Sequence, residues 1–501
     1  MLRKVIGSSI FAGIFSGVLL ALPFNNGNLW FLSWFAFVPA LLQSNNKRLK
    51  QIVKLFFVSG ITFWSFVIYW LVNVTLLGTI VLSLYLSLYF ILFGLLLYYN
   101  IKSFKARLLI FAPSVWVLLE YARSHIFTGF PWALLGYSQY LNLPLVQIAD
   151  IFGVWGISFL LIFSNVAIAE LLQFKKKGLL LSLKITLAVI TAVVLLVLSY
   201  GFYRLSSLKN IESLKKINIS VIQPNISQRL KWDPAARNFI MQRYFELTDE
   251  AVLKEPELII WPEAALPVVL EEEPAYYQSL KGYVGTIRKN LIFGAVTQRG
   301  GLYYNSALLL SKSGELISQY DKLHLVPFGE FVPFRRVLKV LDKIAPIGDI
   351  SRGKDYTIFT VLEDFGVLIC FEDVFPELAR NFVRNGAKFL VNITNDAWFG
   401  KTPEAYQHLS ASVLRAIENR VNVVRSANTG FSAFISPLGR IYEWVKADNS
   451  EALFIPGHKE AVVQILFLPK TFYNRYGDFF PLLCLCYLLF LIIFKGRFLD
   501  R

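Results

Sequence analysis

Apolar and polar positions are distributed along the chain in two different textures. The first 205 residues hold seven apolar runs, at roughly 5–23, 28–43, 52–73, 76–99, 107–122, 146–173 and 178–203, and an eighth lies at roughly 479–495. About 20 apolar residues cross a bilayer core as a helix, so each run predicts a transmembrane helix, the second and fifth being the shortest. Arg3 and Lys4 precede the first run as they would a signal peptide, but its small-residue cleavage site is poor and six more runs follow, so it is read as a helix. Between the seventh and eighth runs the texture changes. Short apolar runs, bounded by turn residues, alternate with amphipathic stretches: Ile217–Ile222, Leu258–Trp261, Leu291–Val296, Ala307–Leu310, Gly366–Cys370, Phe389–Ile393, Asn422–Arg425 and Ser432–Ile435. These are strand lengths, and they predict one α/β domain. The expected organisation is a membrane domain of seven helices over 1–205, an α/β domain over 206–474, and an eighth helix with a tail over 475–501.

Composition agrees with a chain that is partly in lipid: 55% of residues are hydrophobic and only 17% charged. The net charge of +16 would suggest a nucleic-acid partner in a soluble protein. Here the basic residues sit beside the apolar runs, and no basic arm interleaved with aromatics stands apart, so no nucleic acid is expected. Lys47, Arg48, Lys50 and Lys54 follow the second run, Lys102, Lys105 and Arg107 the fourth, Lys175, Lys176 and Lys177 the sixth, and Lys495, Arg497 and Arg501 the eighth. The intervening short loops are nearly free of Lys and Arg. Positive-inside then puts both termini in the cytoplasm and residues 206–474 outside it, an alternation that eight crossings satisfy.

Candidate chemistry gathers where strands end. "ELIIWPE" ends in Glu263, "FGVLICFED" carries Cys370 before a predicted helix, and "KFLVNITND" ends in Asn395 and Asp396. Open α/β sheets place their sites beyond the carboxyl ends of strands. A cysteine at a strand-to-helix turn faces N–H groups and a positive helix end, which favour a thiolate and can hold an oxyanion. Lys322, in "YDKLHLVPFGEFVP", supplies an ammonium. Each has a plainer reading: a buried cysteine as filler, a glutamate as a helix start, a lysine paired with Asp321. Together, a carboxylate, an ammonium and a thiol are the set that acyl transfer through a thioester needs. Cys370 is the one cysteine of three outside the last apolar run, and no Cys/His spacing suggests a metal.

These motifs resemble those of a known family. "WPEAALP", "YDKLHLVPFGEFVP" and "LICFED" resemble the Glu, Lys and Cys motifs of the nitrilase superfamily. Seven spans before such a domain and one after resemble its membrane-embedded branch, the apolipoprotein N-acyltransferases. "QPNISQRLKWD", "NITNDAWFG" and "RSANTGFSAFISPLGR" are similar to further segments of that family, so the resemblance covers nearly the whole chain. It implies an αββα sandwich beside an eight-helix transmembrane bundle, with Glu263 as base, Lys322 as oxyanion partner and Cys370 as nucleophile. It implies supporting roles for Glu330 and Glu372, and for Trp232, Asn395 and Trp398 near the substrate. Phe371 stands where the family often has tyrosine, which puts a phenolic role there in doubt. The implied reaction moves an acyl chain from a membrane phospholipid, through a Cys thioester, to the α-amine of the diacylglyceryl-cysteine of an apolipoprotein. No metal or cofactor is implied. The implied location is the cell inner membrane, with the catalytic domain on the periplasmic side. A membrane-tethered amidase or nitrilase-type hydrolase, resolved by water, shares the same three residues. A non-catalytic scaffold or transporter would not need them.

Other residues are expected to be structural: His324 and His408 in packing or hydrogen bonds, Arg415, Glu418 and Arg420 in ion pairs, Arg425 and Asn428 bracing the site. Glu120, near the outer end of the fifth run, reads equally as a functional group or as a snorkelling helix end. Phe334, Val337, Leu338, Leu341, Ile344 and Ala345 fall on one helical face among Arg and Lys, which fits either a helix lying in a headgroup layer or one packed on the domain. The topology is directly testable: a reporter active only in the cytoplasm, fused near Lys281, is expected to be silent, and activity there would refute the orientation.

Overall fold

A computed structural model describes residues 9–100, 107–177, 180–207, 213–332 and 350–494, so the amphipathic stretch from Phe334 to Ala345 lies outside the described residues. The chain divides into two compact units, one of Met1–Asn210, Thr402–Ser410 and Tyr476–Arg501, the other of Ile211–Lys401 and Ala411–Arg475.

The first unit is helical. By length and composition, four of its described helices can cross a membrane: Leu49–Val67, Leu76–Tyr99, Ala149–Gln173 and Leu187–Ser207. Ser9–Asn25 and Phe479–Ile493 are shorter apolar helices, and Leu108–His125 carries Pro113 inside it. The run at 28–43 is not the single helix expected. It forms a 3₁₀ helix, Gly27–Trp34, and a separate short α-helix, Val38–Ser44, with Pro39 in its first turn. Proline has no N–H to offer an upstream carbonyl and suits a helix start better than an interior. The break leaves main-chain groups without helical partners, and buried side chains supply them. Asn165 accepts from Phe37 N at 2.7 Å and donates to Ser33 O at 2.8 Å, Ser164 donates to Trp34 O at 3.0 Å, and Ser16 accepts from Ala40 N at 3.1 Å. Irregular backbone persists in an apolar setting only when satisfied in this way. Glu120 is buried and accepts from Leu135 N at 2.7 Å, so it is a built-in partner of the chain rather than a snorkelling end. Gln407 also belongs to this unit, accepting from the indoles of Trp70 at 3.1 Å and Trp132 at 2.7 Å. His408 packs on the Trp132 ring, as a structural histidine would.

The second unit is built on two six-stranded sheets. One has the order β12-β1-β2-β3-β4-β5 and the other β11-β10-β9-β8-β7-β6. The strands of the first are β1 (Ser213–Gln223), β2 (Leu258–Ile260), β3 (Asn290–Arg299), β4 (Leu302–Leu310), β5 (Leu316–Asp321) and β12 (Gly457–Leu466). Those of the second are β6 (Ile358–Thr360), β7 (Asp364–Ile369), β8 (Phe389–Thr394), β9 (Asn422–Ala427), β10 (Ala433–Ile435) and β11 (Ile441–Trp444). In each sheet the three strands β1-β2-β3 or β7-β8-β9 are parallel and the outer pairings antiparallel. Every residue of β8 and β9 is buried, as expected of parallel strands covered on both faces. The helices Arg237–Val252 and Pro274–Ile287 cover the first sheet, where Tyr244 stacks on Trp261 at 4.5 Å between centroids. The helix Pro376–Arg384 packs on the second, and Gly366 of β7 leaves room for Phe382, whose ring a Cβ there would meet at 2.7 Å. The single O–H of Ser426 in β9 is shared between Ile222 O at 3.1 Å and Ile260 O at 3.0 Å, which ties the two sheets face to face.

Buried ions brace the second sheet. Arg425, wholly buried in β9, pairs with Asp373 at 3.0 Å and Asp396 at 3.3 Å and donates to Asn392 at 2.8 Å. Arg415 pairs with Glu418 at 2.8 Å, as the helical spacing predicts, and Arg420 donates to Pro437 O. Removing one partner of a buried pair strands the other charge, at a cost of roughly 3–5 kcal/mol. Arg425→Leu is therefore expected to lower the thermal midpoint sharply, with chemical denaturation of purified protein as the check. A change under about 1 kcal/mol, within the range of exposed pairs, would refute the bracing role.

Candidate active site

Glu263, Lys322 and Cys370 each follow the last residue of a strand closely: β2, β5 and β7 respectively. The Glu263 turn is pressed onto β3. A Cβ at Gly294 would lie 2.5 Å from Ala264 N and 2.7 Å from Glu263 Cα, so only glycine fits there. Ala264 takes a left-handed φ of +45°, and Ala265 N donates to Gly294 O at 2.7 Å, which fixes the direction in which Glu263 leaves the strand. Cys370 also has a left-handed φ, +54°, at the start of the 3₁₀ turn Cys370–Val374. A non-glycine residue held there costs on the order of 1 kcal/mol or more, and such strain gathers at functional sites.

Lys322 is buried, with its Nζ 3.0 Å from Glu330 Oε1 and 3.5 Å from Glu263 Oε1. Burial alone would depress the ammonium, but the charges of Glu330 and Glu263 outweigh it and hold the group above the ordinary lysine range. Asn305 of β4 donates to both carboxylates at 2.8 Å, and its carbonyl accepts from Lys322 N. Val326 N donates to the other oxygen of Glu330 at 2.8 Å. The Cys370 thiol lies within the fields of Glu263 and Lys322. Burial first, and the Glu263 charge second, push it well above its usual value, with Lys322 opposing. At rest the sulfur therefore carries its proton.

Glu372 ties this arrangement together. It accepts from Ile369 N at 2.7 Å, Leu323 N at 2.7 Å, His324 N at 3.0 Å and Tyr320 Oη at 2.8 Å. One side chain thus joins the Lys322 loop to the Cys370 turn. Burial pushes its carboxyl up to about 7, against the pull of these donors. With only donors around it, the ionised acceptor form fits the geometry better.

The remaining expected residues lie less centrally. Asn395 is buried, its amide engaged with Gln228 at 3.0 Å and Asn428 at 2.8 Å. Phe371 packs edge-on to Phe375. Trp232 and Trp398 are about half exposed. His324 stacks on Phe375 and is depressed to about 4 by burial, so it is neutral and structural. Asn305, Tyr320 and Lys231 were not singled out from sequence. A buried asparagine amid the apolar residues of "NSALLL" was the one available signal. Lys231 Nζ donates to Glu263 O at 2.9 Å.

A carboxylate, a locked ammonium and a thiol at the strand ends of two facing sheets are the working parts of a carbon–nitrogen hydrolase-type domain. A family model described as carbon-nitrogen hydrolase matches residues 218–455, and one described as apolipoprotein N-acyltransferase N-terminal domain matches residues 16–167. An apolipoprotein N-acyltransferase of Geobacter metallireducens is 39% identical over 94% of this chain and 92% of its own length. One from Chlorobaculum tepidum is 30% identical over 97% and 96%, and one from Pasteurella multocida 30% identical over 86% of each. Among solved structures, a carbon-nitrogen hydrolase from Helicobacter pylori matches with a TM-score of 0.40 at 17% identity, over 50% of this chain and 90% of that one. The chain belongs to the apolipoprotein N-acyltransferase family. It is an acyltransferase, and the hydrolase alternative is not favoured.

Glu372→Gln tests the tie between the two loops. The amide would aim N–H groups at donors, leaving buried groups unpaired at about 1–3 kcal/mol. Acylation of Cys370 is expected to fall by about tenfold or more, together with thermal stability. Wild-type rate and stability in Glu372→Gln would mean that the carboxyl works in its neutral form.

Proposed function

We propose that the protein carries out a ping-pong transfer in which Cys370 takes an acyl chain from a membrane phospholipid and passes it to the N-terminal α-amine of an apolipoprotein's diacylglyceryl-cysteine. The observation that carries this reading is the Lys322 ammonium clasped by Glu263 and Glu330 beside a protonated thiol. Glu263 takes the thiol proton as sulfur attacks the ester carbonyl. The C–S bond forms, and the oxyanion faces Lys322, which stays cationic throughout. The C–O bond then breaks, and Glu263 returns its proton to the leaving lysophospholipid oxygen. The acceptor amine attacks the thioester, gives its proton to Glu263 and releases the Cys370 thiolate, which recovers that proton. Glu330 holds Lys322, Glu372 holds the two loops, and Trp232, Trp398, Phe371 and Asn395 face the substrates.

The acyl donor is a bilayer component, which suits a chain whose other unit is made of apolar helices. The distribution of basic loops supports an inner-membrane protein of eight crossings, with both termini cytoplasmic and residues 206–474 periplasmic. The domain limits of 205/206 and 474/475 belong to the same reading.

The test is to incubate purified protein with phospholipid alone and weigh it intact. Wild type is expected to gain one acyl mass on Cys370, removable by hydroxylamine. Cys370→Ala, Cys370→Ser and Glu263→Gln are expected to gain none, and Lys322→Ala to lose on the order of 3 kcal/mol of transition-state stabilisation, about a hundredfold in rate. If wild type stays unacylated yet transfers the chain once acceptor is added, direct attack by the amine replaces the thioester.

A further inference from the structure

The scheme above makes no use of Lys231. This lysine is only 3% exposed, and its Nζ bond to Glu263 O leaves the Glu263 carboxylate free for Lys322 and Asn305. It therefore grips the base by its backbone, at the turn where Ala264 is left-handed and Gly294 presses from below. A charge count shows what else it does. The groups facing the cluster are Glu263 after β2, Lys322 and Glu330 after β5, Cys370 and Glu372 after β7, and Asp396 after β8. Arg425 already answers Asp373 and Asp396. Lys322 is shared by two carboxylates, so those three groups together carry one net negative charge. Glu372 adds a further negative charge, and the proton that passes from Cys370 to Glu263 leaves the sum unchanged while moving one charge onto the sulfur, so without another cation the thiolate would form among carboxylates that Lys322 alone does not balance.

We propose that Lys231 is a positioning residue for acyl-enzyme formation, fixing the Glu263 turn and supplying the positive charge that offsets the Cys370 thiolate as it forms. The proposal rests on the thiol chemistry described above. Burial draws the Lys231 ammonium down to about 8, while Glu263 and Cys370 pull the other way. The cation is present below that pH and lost as pH rises through it. The surroundings of the sulfur then become more negative, so acylation acquires an alkaline downturn.

The test reads the thiol itself. Cys370 is alkylated with iodoacetamide across a pH series and scored by peptide mass, so that Cys484 and Cys486 are counted apart. Lys231→Met is expected to move the alkylation midpoint up by a unit or more, about tenfold slower at pH 7. Lys231→Arg, which keeps its charge at every pH used, is expected to restore the wild-type rate at neutral pH and to remove the alkaline downturn of acylation from phospholipid. Thermal midpoints establish that each variant is folded. A wild-type alkylation profile in folded Lys231→Met would overturn the proposal. So would equal losses in the Met and Arg variants with the pH dependence unchanged, which would mean packing alone. If wild type fails to acylate from phospholipid while Lys231→Met still slows alkylation, the ping-pong scheme falls and what stands is that Lys231 offsets the Cys370 thiolate.

Discussion

A buried ammonium between two carboxylates is the constraint on which the catalytic unit depends. Lys322 has lost its water, and its charge survives because Glu263 and Glu330 converge on it from separate segments and Asn305 bridges them. An isolated charge in such a place would neutralise itself. The three groups therefore fix one another: moving any strand end would expose or strand a charge. Much of the surrounding design, including the glycine under the Glu263 turn and the carboxylate of Glu372 spanning two loops, keeps those strand ends in register.

The same electrostatics divide the labour of the site. The charges of Glu330 and Glu263 hold the Lys322 ammonium above the ordinary lysine range, and burial and Glu263 push the Cys370 thiol up. The proposed reaction accordingly assigns proton transfer to the Glu263 carboxylate. In the reaction proposed above, the thiol therefore stays protonated until the acyl donor arrives.

The strands with both faces buried were legible in the sequence. Each of the eight apolar runs in the 206–474 region coincides with one of β1–β4 or β7–β10, because strands covered on both sides, the antiparallel β4 and β10 included, read as continuous apolar segments. The strands β5, β6, β11 and β12 were not, since their side chains alternate or lie at sheet edges, as in "LISQYD" and "GHKEAVVQIL". Glu263, Lys322, Glu330, Cys370 and Glu372 were legible through their motifs. Lys231 and Asn305 were not, because their importance comes from which strand ends meet in space. The break inside the run at 28–43 was also hidden, since hydropathy counts apolar side chains and is blind to where the backbone finds its partners.

That break has a mechanical consequence. In water, a gap between two short helices is a joint, because solvent pairs with whatever main-chain groups a movement exposes. Hydrocarbon offers no such substitute. The groups released near Phe37 and Ser33 are held by a single amide, that of Asn165, accepting on one side and donating on the other. Bending or straightening the segment would surrender both bonds at once, with nothing to replace them. The interruption between Gly27–Trp34 and Val38–Ser44 is therefore pinned in place and is not a hinge.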